Sequence, residues 1–150
     1  TTQRNVTATT TSTTQAQQAA TCIATGLRNA SEFALTTPSG TDQLLVVRTA
    51  SQGATLTWSC KAWYYSATSS TIRSTITADG TKITAPTSTQ LATWSLQATG
   101  VSPRSGTAIF TAAGGGITIS YNAAVANGQP VAIQTTVIKR TGVSETGTCY

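Results

Sequence analysis

The chain has 150 residues, enough for one domain with a sizeable core, and a net charge of +5 with a sequence pI near 9.5. Threonine (34) and serine (15) make up a third of it, charged residues only 9%, and histidine is absent. Without histidine a Ser-His-Asp or Cys-His centre and an ordinary zinc site are excluded, and the four carboxylates (Glu32, Asp42, Asp79, Glu145) sit in no glycosidase-like pairing.

In chain order, Val6, Thr9, Thr13, Ala16, Ala20, Ile23, Leu27 and Ala30 recur at spacings of three and four, one helical stripe over 6–30. Gly26 lies inside it at a cost of about 1 kcal/mol relative to alanine, and the many threonines weaken it further. Such a helix is not stable alone in water. Ala16, Ala20, Ile23 and Leu27 are therefore its candidate packing residues, with the earlier turns projecting away from the domain.

The remainder reads as strands. "QLLVVRTA" (43–50) is a continuous apolar run, and "SQG" (51–53) is a turn. "TLTWSCKAWYY" (55–65) alternates, with Leu56, Trp58, Cys60, Ala62 and Tyr64 on the face assigned to the core and Lys61, Trp63 and Tyr65 on the other. "TIRSTIT" (71–77) completes a three-strand antiparallel meander ending at Asp79-Gly80. Pro86, a Thr87 or Ser88 N-cap, a Leu91/Trp94/Ala98 face and Gly100 predict a short helix near 87–99. Strands at 107–112, 117–125 and 130–140 follow, the last two joined by an Asn127-Gly128 turn. The expected class is α+β: a long N-terminal helix (1–30) packed on antiparallel sheet in a mainly β body (43–150), forming one domain over 1–150.

The nine basic residues are spread along the chain, and such dispersed charge speaks chiefly for solubility. Lys61, Trp63, Tyr65 and, across the hairpin, Arg73 form a candidate aromatic and basic ligand surface for DNA or carbohydrate, against the plainer reading that Trp63 and Tyr65 pack under the short helix near 87–99 or against a neighbouring subunit.

The helix ending in "GLRNASEFAL" (26–35), "TWSCKAWYY" (57–65), "LATWSLQATGV" (91–101) and the closing "CY" (149–150) together resemble prepilin-type, pilin-like proteins. The likeness is to J-type minor pseudopilins of type II secretion and type IV pilus systems, in the style found in actinobacteria. It implies a pilin-like fold and a non-enzymatic structural subunit without cofactor. Its partners would be other pilin-like subunits of one fibre or tip complex, at the cell surface. It also implies a membrane anchor of about 20 apolar residues, which these 150 residues do not contain, so they are read as the part outside that anchor. The alternative is a secreted module binding DNA or carbohydrate.

Of the three cysteines, Cys60 shares the core-facing side of its strand, and Cys149 needs an anchor if its end of the chain is not to fray. A Cys60–Cys149 disulfide is expected, with Cys22–Cys149 as the alternative, and either points to an oxidising compartment.

Overall fold

The computed structural model describes residues 2–50, 54–55, 57–104, 106–113, 116–124, 130–138 and 149–150, with helix side chains from Thr14 onward. Helix α1 (Thr2–Arg28) leads into β1 (Ala30–Thr36), β2 (Gln43–Ala50), β3 (Trp58–Ser66) and β4 (Thr71–Ala78). A single helical turn, α2 (Ser88–Leu91), precedes β5 (Ser95–Ala98), β6 (Val101–Pro103), β7 (Phe110–Ala113), β8 (Gly116–Ala123) and β9 (Val131–Ile138). The first five strands form one antiparallel sheet in sequence order. In the second sheet β8 is central, with β6 and β7 along one edge and β9 along the other.

The main core lies between the two sheets and the last turns of α1. Phe33, Leu45, Val47, Trp63, Tyr65 and Ile72 from the first sheet meet Phe110, Ile117, Ile119 and Tyr121 from the second. Gln43 bridges them from a buried position. Its Nε2 donates to the Phe110 carbonyl (2.8 Å), and its Oε1 accepts from the Ile109 and Phe110 amides (2.8 and 3.0 Å). A second cluster covers the opposite face of the first sheet: Leu44, Val46, Cys60, Ala62 and Tyr64 under Ile83 and Cys149, with Leu91, Trp94 and Tyr150 at its margin. Both faces of β2 and β3 are thus buried, which explains why "QLLVV" is continuously apolar.

The expected α+β class, with a long N-terminal helix on a sheet as its organising feature, is corrected. The molecule is mostly antiparallel sheet, about 50% strand against 17% helix. The helical residues in the described core run only from Ala16 to Leu27, about three turns. The helix predicted near 87–99 is also corrected. Thr87 caps it as read, in a reciprocal pair with Gln90, but it ends after one turn at Leu91. Ser95–Ala98 then pairs with β4, Arg73 opposite Leu96, so strand pairing overrides the helical spacing of Leu91, Trp94 and Ala98. Two strands went unread. Ala30, counted in the helical stripe, begins β1, because Asn29 closes α1 with its side chain donating to the Thr25 carbonyl (3.0 Å). Val101–Pro103 is β6. The meander of β2, β3 and β4 is present. The proposed turns at 51–53 and Asn127-Gly128 lie outside the described residues.

Candidate functional site

Helix α1 is the element with two distinct faces. Ala16, Ala20, Ile23 and Leu27 are all buried, joined by Ala19 and Ala24. Thr14, Gln15, Gln17, Gln18, Thr21, Cys22 and Arg28 are exposed. The buried stripe is mostly alanine, which lets the helix backbone come close to the sheets. At Gly26 the approach is closest: a Cβ there would stand 2.5 Å from Cη2 of the Trp63 indole. Two hydrogen bonds fix the helix further. The Thr49 hydroxyl donates to the Gly26 carbonyl (3.0 Å), and the Tyr121 hydroxyl donates to the Ala16 carbonyl.

The candidate ligand surface does not form. Trp63 and Tyr65 are 0% and 2% exposed, inside the main core beneath α1. Lys61 shares their side of β3, with its Nζ 5.2 Å from the Trp63 ring centre. Arg73 lies on the other side, because the register sets it opposite Tyr64 rather than Trp63. It donates to the Trp94 carbonyl (3.0 Å). The reason is topological: a strand buried on both faces has no outside for its alternate residues to occupy.

Arg73 borders a polar groove of about 760 Å³ with Asp42, Tyr64, Thr87 and several other hydroxyl residues. Its carboxylate is committed internally. Asp42 Oδ2 accepts from the Tyr64 hydroxyl (2.6 Å), and Oδ1 accepts from the Ala67 amide (2.8 Å). Burial, with the neighbouring Asp42 adding to it, pushes the Tyr64 hydroxyl up to about 12. That phenol stays protonated, so the pair holds the β2 and β3 ends together and offers no general base. Arg48 and Asp79 form a two-point ion pair (2.8 Å at each contact) with the guanidinium 4.3 Å from the Trp58 ring centre. Cys60 and Cys149 are bonded, and Cys22 is a free, exposed thiol. Two sulfurs and an Asp79 oxygen lie within 4.8 Å of one another, but the disulfide occupies both sulfurs and leaves no thiolate for a metal.

Comparison with protein-family models, curated proteins and solved structures returns no match.

Nothing in those comparisons identifies a pilin-like family. Among the described residues no helix is long and apolar enough to cross a membrane. The residues that sequence reading missed are Gln43, Gly26 and Asp42. Gln43 was legible only as the first residue of a strand, since nothing local marks a glutamine that satisfies three backbone groups 66 and 67 positions away. Gly26 did carry a signal: a costly glycine inside a predicted helix implies a close neighbour.

Proposed function

We propose that this chain is a non-enzymatic structural subunit of a cell-surface fibre of the type IV pilus or type II secretion kind, joining other pilin-like subunits through α1. The observation that carries the reading is the division of α1 into a buried alanine-rich stripe and an exposed face that includes Thr14, Gln18 and Cys22, uncharged from Thr14 up to Arg28 in its last turn. A helix with such faces is held by its own domain on one side and can be packed by another helix on the other. The charged groups seen in detail, Asp42, Arg48 and Arg73, are each engaged in internal contacts, which supports a scaffold over a catalyst. The alternative, a module binding DNA or carbohydrate through Trp63 and Tyr65, loses its residues to the core.

The test is co-purification of the full-length protein with pilin-like proteins of its own cell, repeated with Thr14→Arg and Gln18→Arg together. Both positions are exposed, so the variant should fold. Partners recovered with the wild type and lost with the variant support the proposal. No pilin-like partner, or equal recovery with the variant, overturns it.

A further inference from the structure

The four carboxylates are unevenly placed. Glu32, Asp42 and Asp79 all belong to the first sheet and its turns, while α1 and every residue from 80 to 144 contain none. Among the described residues, the second sheet with its adjoining turns and the helix beside it therefore carry no carboxylate, while Arg28 and Arg104 stand there with described side chains.

On that side lies a strand edge without a backbone partner among the described residues. Sheet edges are ordinarily blunted by bulges, proline, charge or shortness. β1 carries a register shift at Ala30/Glu32 and a glutamate, and β5 is four residues long beside another shift. β6 has three residues including Pro103, and β7 has four. β9 is different: eight residues, VAIQTTVI, in unbroken register with β8, without proline or charge. No backbone hydrogen bond runs to its other side among the described residues. Beside that edge a groove of about 340 Å³ lies between Gln17, Thr21 and Arg28 of α1 and Ile133 and Thr135 of β9.

We propose that the β9 edge receives an extended acidic polypeptide segment as an added strand. Such a strand sits about 4.8 Å from β9 and takes up the unpaired backbone groups of every second residue. Its inward side chains enter the groove beside Ile133 and Thr135, where Arg28 has no carboxylate partner among the described residues. Its outward side chains run alongside Gln134, which accepts from Arg104. Each face of the added strand thus meets an arginine, and charge complementarity selects glutamate or aspartate at positions of both parities. This inference goes beyond the proposed fibre role and does not depend on it, since it rests on the β9 edge and on Arg28 and Arg104 rather than on helix packing at Thr14 and Gln18.

The experiment measures amide hydrogen exchange across Val131–Ile138 in the intact protein. The probes are an eight-residue peptide rich in valine and glutamate, its lysine counterpart, and a single-stranded oligonucleotide as a non-peptide polyanion. The expected result is at least tenfold slower exchange of alternate β9 amides with the glutamate peptide only. Arg28→Glu should weaken that peptide at least tenfold and favour the lysine peptide. Arg28 is exposed, so the variant should keep its fold, checked by unchanged exchange in β3. No β9 protection at millimolar glutamate peptide overturns the proposal. So does equal protection by the lysine peptide, or an oligonucleotide that binds as well.

Discussion

At Gly26 the helix residue matters less for its own conformation than for the space above a buried ring. Alanine is the better helix former by about 1 kcal/mol, yet its methyl would overlap the Trp63 indole, which is fully buried and has nowhere to retreat. Overpacking of this sort costs about 1–3 kcal/mol. Gly26→Ala should therefore lower stability by about 1–2 kcal/mol in urea denaturation, against the propensity scale. Trp63 carries a second signature: its Nε1–H is buried with no acceptor among the described residues. Trp63→Phe removes that orphan donor as well as part of the ring, so its loss should stay well below the roughly 3–5 kcal/mol of Trp63→Ala. Gln43 is the reverse case. Gln43→Leu leaves three buried backbone groups of β7 and its approach unpaired, an expected loss of about 2–4 kcal/mol by the same denaturation curves.

Among the elements, β3 is held from both sides, by α1 over Trp63 and by Cys149 at Cys60. The disulfide spans a separation of 89 residues, so its removal restores much freedom to the unfolded chain. The Cys60→Ala, Cys149→Ala double variant should lose about 2–5 kcal/mol by calorimetry or urea, with hydrogen exchange rising first around Ile83, whose amide donates to the Cys149 carbonyl (2.8 Å). How far these elements could be read in advance follows from where their information resides. The apolar run of β2, the alternation of β3 and the turn at Asp79-Gly80 are local, and those strands were legible. So was the Ala16, Ala20, Ile23, Leu27 stripe. Local spacing misled where pairing decides, as at Leu91, Trp94 and Ala98, and where a two-sided sheet removes the distinction between inner and outer residues. Alternation placed Trp63 and Tyr65 on a surface because it records only that two faces exist, not that both are covered.

For the molecule as a whole, pH dependence should be quiet through neutrality, since histidine is absent. The buried phenols set the alkaline limit. Tyr64 is pushed up to about 12 and Tyr121 is also raised, both by burial first. In the unfolded chain a tyrosine ionises near 10, so above that pH the folded state holds more protons than the unfolded one. Stability from these groups is complete below about pH 10 and falls as pH rises through their folded values. Urea midpoints from pH 6 to 11 should stay level and then decline, and Tyr64→Phe should flatten part of the decline. The two-sided burial of β3 also governs the order of events in time. During synthesis Cys22 and Cys60 are both present long before Cys149, which arrives 89 residues after Cys60. The first oxidation available to the young chain is therefore the wrong one. In the finished protein Cys22 is on the outside of the helix, while Cys60 lies in the cluster on the far face of the sheet. The sheet itself is what separates the two thiols, so closing the main core disfavours the Cys22–Cys60 pairing and leaves Cys60 to Cys149.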